Sequence, residues 1–236
     1  MGPVEFSSSN HIHCARSQAG RAHQVTIVPS EFAAATLGFV MPATATIASR
    51  LLAVIDEDIL PLTERGVAGG NKVFGAALLA KSDLSLVIAG TNDETRNPLW
   101  HGEINTLRQF YERPRRPSTK DLIFLTTHEP CTLCMSAITW AGFDNYYYFY
   151  SHEDSRDSFA IPHDLKILKE VFGLDPGGYR RTNAFWSAHS ISDLIDAEPE
   201  PLRSELLARR ERIRARYETL STQYQETKSD NDIPLN

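Results

Sequence analysis

The sequence predicts an α/β protein, a three-layer α-β-α sandwich on a mixed central sheet of about five strands, with extensions at both ends. Three observations lead there. Apolar residues recur at helical spacing between Ile47 and Leu60. From Val73 to Tyr150, short apolar runs alternate with helix-length segments, an order that lays helices on both faces of a sheet. The ends differ from this middle in composition, which divides the chain into an N-terminal extension (1–42), a catalytic-domain candidate (43–190) and a C-terminal helical extension with a disordered tail (191–236).

Taken in order, residues 1–22 are polar and read as a loose tail, in which His11, His13 and Cys14 form a small cluster. Gln24–Val28 suggests a short strand without an assignable role. Ile47, Leu51, Leu52, Ile55, Ile59 and Leu60 predict a first core helix over 43–64, ending near Gly66. Residues 67–71 are glycine-rich and turn-like. Val73–Leu79 and Leu84–Ala89 read as two paired strands. A helix over 101–113 is followed by the basic, proline-broken loop Arg113–Pro117, read as solvated. Leu122–Thr126 is a third strand, 131–142 a helix, and Tyr146–Tyr150 an aromatic fourth strand. Leu165–Phe172 suggests another helix, stopped by Gly173. Over 201–227, Leu206, Ile213, Tyr217, Leu220 and Tyr224 form one helical stripe, fit to cover either its own core or a second subunit.

The 236 residues carry a formal net charge of −6, and 23% of them are charged. That balance repels nucleic acid at long range and disfavours it as a partner. Three cysteines are present. Two belong to the motif described next, and Cys14 has no evident disulfide partner, which points to a reducing cytoplasm. No apolar run has the length of a membrane span. Residues 32–45 have the composition of a signal-peptide core, but they lie late in the chain and directly after Glu31.

The chemistry concentrates in His101-Gly102-Glu103 and Pro130-Cys131-Thr132-Leu133-Cys134. A histidine and two thiolates are good zinc ligands and leave a fourth tetrahedral position for water. Zinc eases the loss of that water's proton. Glu103 is then the proton carrier rather than a ligand. Cys131 and Cys134 are three apart, so they share a helix face, and Pro130 suits a first helical position, which places both sulfurs in the first turn. A lone C-x-x-C also occurs in structural zinc knuckles and redox pairs, and His128 offers a fourth ligand that would close the site into a structural one.

At these residues the chain resembles the zinc-dependent cytidine deaminase superfamily, in the branch acting on free bases and nucleosides. Residues 131–140 are similar to guanine deaminases, whereas His101-Gly102-Glu103-Ile104, with its central glycine, is more similar to fungal cytosine deaminase. The resemblance covers roughly residues 45–175. It implies the cytidine-deaminase-like form of the sandwich, a Zn2+ cofactor, a homodimer, and hydrolytic deamination of a nucleobase or nucleoside. Guanine or a related aminopurine is favoured and cytosine stands second. It also implies substrate contacts at Asn92 (with Asn97 as the fallback), Phe74, Trp100, Trp140 and Asp154. For Asp154 the competing reading is a helix cap, and Glu153 or Asp157 would take its place if the register differs. Phe185 and Trp186 lie where this branch supplies aromatic pocket walls. Two other readings stand beside this one: a tRNA adenosine deaminase, which needs a basic face that Arg113–Arg116 alone would supply, and a zinc-stabilised interaction protein without activity.

Overall fold

In the computed structural model, residues 46–175 and 178–235 are described. The expectations for 1–42, including the His11/His13/Cys14 cluster and the strand at 24–28, lie outside the described residues, as does the apolar stretch 32–45.

The first helix starts on a Thr46 cap whose hydroxyl accepts from Ser49 N. It runs as α1 (Ile47–Val54), passes through a π-helical turn at Ile55–Ile59 and continues as α2 (Leu60–Ala68), two residues beyond the end expected near Gly66. The strands are β1 (Gly75–Ala80), β2 (Leu86–Thr91), β3 (Leu122–His128), β4 (Asn145–Tyr150) and β5 (Ser187–Ser190), in the spatial order β2-β1-β3-β4-β5. β1 pairs antiparallel with β2 and β3, while β3–β4 and β4–β5 are parallel, so the sheet is mixed as expected. The count of about five strands holds, but the position of the fifth was not identified. Ser-Ala-His-Ser is short and only half-buried, and it has no apolar alternation to give it away.

The pleat sends alternate side chains to opposite faces. Ala77, Leu79, Ile123 and Leu125 pack in one core with α1, α2, α7 (Ile191–Asp196) and α8 (Leu202–Thr227). Ala76, Leu78, Leu122 and Phe124 pack in the other with α3 (Gly102–Glu112) and α4 (Thr132–Trp140). Every residue of β3 is buried, because this strand is central and covered on both faces.

The C-terminal helix packs on its own chain. Leu206, Ile213, Tyr217, Leu220 and Tyr224 belong to the same core as Leu51 and Ile55, and Arg216 on α8 pairs with Asp56 at 2.7 Å and Glu64 at 2.6 Å. The segment after it was expected to be disordered and is not. Residues 228–230 form a short 3-10 turn, Asn231 Nδ2 donates to Gly70 O at 3.0 Å, and Ile233 is buried. In the basic loop, Arg113 donates to Val87 O at 2.5 Å, and Arg116 donates to Tyr111 O at 3.0 Å while its guanidinium lies over the Tyr111 ring. Those two arginines are engaged with their own chain. Among the described residues no helix is long and apolar enough to cross a membrane.

Candidate active site

Two chain segments meet at the metal end of the site. His101 is the N-cap of α3, extended at φ −58° and ψ 162°, so its ring stands off the helix start. The glycine that follows has a packing reason: a Cβ on Gly102 would lie 2.8 Å from Gly75 Cα and 2.9 Å from Gly75 N. The central glycine of His-Gly-Glu therefore reports the close approach of α3 to β1 and carries no information about cytosine.

At the end of β3 the chain turns into α4 with Cys131 as N-cap and Cys134 in the first turn. Pro130 sits one position before the cap rather than at the first helical position, and its carbonyl takes a contact from His152 Nε2 at 3.0 Å. Glu129, buried beside it, is held by His152 N at 3.0 Å and by the Tyr179 hydroxyl, which donates to it. These contacts fix the turn that presents the cysteines.

His101 Nδ1 lies 3.5 Å from Cys131 Sγ and 3.7 Å from Cys134 Sγ, and the three candidate ligand atoms fall within 4.8 Å of one another. One histidine and two cysteines suit zinc, and a three-ligand set is the open, catalytic kind. The Cys131 thiol is pulled well below the usual range by the hydrogen bond from Cys134, against its burial, with His101 adding to the effect. Cys134 is pushed up by burial and by the neighbouring Cys131 charge. Burial alone would depress His101, but the hydrogen bond and charge of Cys131, with Glu94 and Glu103, hold it up at about 9. Metal binding therefore releases protons from this cluster.

His128 is not part of the cluster. Its ring is stacked on Tyr150 at 4.7 Å and meets Phe74 and Phe159 edge-on at 4.6 and 4.7 Å. Its Nδ1 contacts Thr127 Oγ1 at 3.0 Å. Burial, aided by the Arg214 charge, holds it neutral.

Glu103 stands on the first turn of α3, 4% exposed. Its carboxylate accepts from Thr126 Oγ1 at 3.0 Å and from Cys134 Sγ at 3.3 Å. Burial first, and the Cys131 charge second, raise its pKa, which favours a carboxyl group able to hold a proton.

A cavity of about 280 Å³ opens from this end. His101 and Cys131 border it together with Lys72, Glu94, His163 and Asp164, and its apolar wall includes Phe74, Leu99, Leu133, Ile161 and Leu235. Of the residues expected to touch substrate, Phe74 lines this cavity. Asn92 does not border it. It is buried and donates through Nδ2 to Glu94 Oε2 at 2.5 Å, so it reaches the wall through that residue. Asn97 is a turn residue whose Oδ1 accepts from Leu99 N at 3.0 Å.

Three expectations are corrected. Trp100 is not among the residues lining the cavity, and the guanidinium groups of Arg96 and Arg108 lie over its ring at 5.2 and 4.5 Å. Trp140 is 90% exposed, because α4 turns Cys134, Met135 and Ile138 inward and a residue two positions past Ile138 points the other way. Asp154 caps a helix. It and Ser151 form a reciprocal capping box at the start of α5 (His152–Asp157), and its other oxygen meets Arg214 Nη2 at 3.0 Å. Phe185 is 64% exposed, whereas Trp186 is buried in the core beside Tyr146.

The acidic residue at the cavity is Asp164, ten positions further on, at the start of α6 (His163–Phe172). Burial, then the Cys131 charge, hold it up at about 7. In sequence it looks like an ordinary acid in a helix's first turn, and nothing local sets it apart. Lys72 and Glu94 were missed too, though a signal existed. Gly75 pairs with Thr91 at the end of the β1–β2 ladder, so residues three before one and three after the other leave the hairpin side by side.

With this geometry in hand, similarity to known proteins decides the family. The zinc-binding region of cytidine and deoxycytidylate deaminases matches residues 57–150. Guanine deaminase of Bacillus subtilis (strain 168) is 30% identical over 121 residues, which is 50% of this chain and 73% of that relative. The chain belongs to the zinc-dependent cytidine deaminase superfamily. Among solved structures, B. subtilis guanine deaminase is 29% identical, with 48% of this chain and 71% of that chain covered at a TM-score of 0.42. A guanine deaminase from Nitrosomonas europaea is 20% identical, with 72% and 86% covered at a TM-score of 0.41. The superfamily's zinc-binding region spans His101, Cys131 and Cys134, the cluster on which the two segments converge.

Proposed function

We propose that this deaminase hydrolyses the exocyclic amine of a small free nucleobase, with guanine or a related aminopurine first and cytosine second, releasing ammonia. The observation that carries the reading is Glu103, buried, with its pKa raised and hydrogen-bonded to Cys134, in the same cluster as His101 and Cys131, which border a cavity walled by an aromatic ring and an acid.

His101, Cys131 and Cys134 would hold zinc, which when bound supplies an activated water. The chain's own residues do the rest. Glu103 accepts one proton at its carboxylate and gives it to the ring nitrogen, then accepts a second and gives it to the departing amine, a role suited to a carboxyl whose pKa is raised. Phe74 flanks the heterocycle. Asp164, for which no side-chain hydrogen bond is found among the described residues, accepts from a substrate N–H and can hold a proton near neutral pH. The volume of about 280 Å³ lies below the ~300–1,000 Å³ of sites that take drug-sized ligands, which favours a free base over a nucleotide. Guanine leads because the Bacillus relative that is 30% identical carries that activity in its name. A homodimer and a cytoplasmic location belong to the same reading, and equilibrium sedimentation tests the first.

The test is ammonia release by zinc-loaded protein from guanine, guanosine, cytosine, cytidine and adenine. Turnover of guanine or cytosine above the nucleosides supports the proposal. Preference for adenosine within tRNA, or no release from any base while zinc is bound, overturns it.

A further inference from the structure

The cavity wall holds a charge pair that the metal chemistry does not use. Lys72 Nζ lies 3.1 Å from Glu94 Oε1, and their side chains are 8% and 1% exposed. The same Glu94 oxygen is 3.7 Å from His101 Nε2. The ammonium therefore stands one carboxylate away from a metal ligand, on the cavity side of the hairpin. Its charge also reaches His163, another cavity residue, which is held low by its burial first and by Lys72 second.

A buried ion pair is poor evidence of stabilisation, because apolar residues of similar volume often serve as well or better. An ammonium also has three N–H donors and no acceptor. Among the described residues Glu94 is the one hydrogen-bond partner found for Lys72. The Lys72 side chain lines the cavity, so its remaining donors are available to a ligand there. Glu94 neutralises Lys72, and Asp164 adds a further acid to the wall, so the site offers a strong donor without a net positive charge. A phosphate or carboxylate group would meet both acids. A neutral carbonyl oxygen would meet only the donor.

Resting on the deaminase reading above, we propose that Lys72 is a specificity-determining residue that donates a hydrogen bond to a ring carbonyl of the substrate. The substrate class is then a neutral amino-oxo azaheterocycle in which the amino-bearing and oxo-bearing carbons flank one ring nitrogen. Guanine and cytosine both have that pattern, and adenine lacks it. In this arrangement Glu94 is a positioning residue, holding the ammonium in place from behind.

Two matched pairs of probes remove the carbonyl together with its lactam N–H, a loss common to wild type and variants: guanine against 2-aminopurine, and cytosine against 4-aminopyrimidine. kcat/KM is measured for each on zinc-loaded wild type, Lys72→Met, and Lys72→Met combined with Glu94→Gln. The double variant avoids leaving a buried carboxylate unpaired should the single variant fold poorly. A charge-assisted hydrogen bond is worth about ten- to a hundredfold, so the oxo-to-desoxo ratio should fall by that factor in both variants. The loss should come from the oxo substrate, with the desoxo base little changed. Turnover retained with the ratio unchanged within about twofold overturns the role of Lys72 and leaves the deaminase reading standing. Ammonia release from none of the four bases by wild type overturns the reading and the assignment together.

Discussion

The two ends of the cavity are built on different principles. The metal end is made of backbone-anchored residues at the starts of two helices, and every charged group there has a protein partner: His101 with Cys131, Glu103 with Thr126 and Cys134. The substrate end is assembled from distant pieces, with Lys72 and Glu94 leaving one hairpin, Asp164 starting α6 and Leu235 arriving from the chain's far end. Leu99, Leu133 and Leu235 are 59%, 40% and 60% exposed there. One end is internally hydrogen-bonded, and the other carries more exposed apolar residues. The chemistry is thus fixed by short-range geometry, and selectivity by long-range assembly.

The largest effect that would sharpen this contrast is expected at the metal end. Cys134→Ser should abolish zinc retention, read by metal content after dialysis, and lower turnover by at least about a thousandfold. Retained zinc with near-normal turnover would mean that the three-ligand cluster is not the metal site.

At the other end, two aspartates serve as a matched pair. Asp164→Asn should lower kcat/KM by about a hundredfold with zinc content unchanged, the size expected of a lost acid or base group. Asp154→Asn should leave kcat/KM within about twofold and cost about 1 kcal/mol of stability through the lost cap, a Tm shift of about 2–4 °C. The reverse pattern would restore Asp154 to the site.

A smaller effect belongs to the packing behind the metal end. His128 is neutral in the fold because burial, with Arg214, holds its pKa well below 6.5. The unfolded chain takes up this proton as pH falls below about 6.5 and the folded chain does not, so the stability at stake is complete above that pH and lost below it. His128→Phe should therefore flatten the decline of Tm between pH 7 and about 5.5. An unchanged slope would show that His128 titrates in the fold.

What was legible in the sequence follows the same division. The zinc ligands and Glu103 are close in sequence within two motifs, and helical spacing is enough to relate Cys131 to Cys134. Four of the five strands and the helices on both faces were likewise visible, because short apolar runs alternate with helix-length segments. The substrate wall was not. Asp154 and Trp140 were placed by motif resemblance, but one satisfies a helix terminus and the other falls on the outer face of α4. Asp164 looks like any acid that starts a helix, and only the packing of α6 beside α4 and α5 brings it to the cavity. Lys72 and Glu94 become neighbours only once the hairpin register is known.

The most direct test is Glu103→Gln, assayed for ammonia release with zinc content measured on the same preparation. The variant keeps the side-chain shape and loses the proton-carrying group. The expected result is full zinc occupancy with turnover of the favoured base reduced by about a hundred- to ten-thousandfold. Full occupancy with turnover within about threefold of wild type would contradict the account, since the proton would then travel by a route that does not involve Glu103.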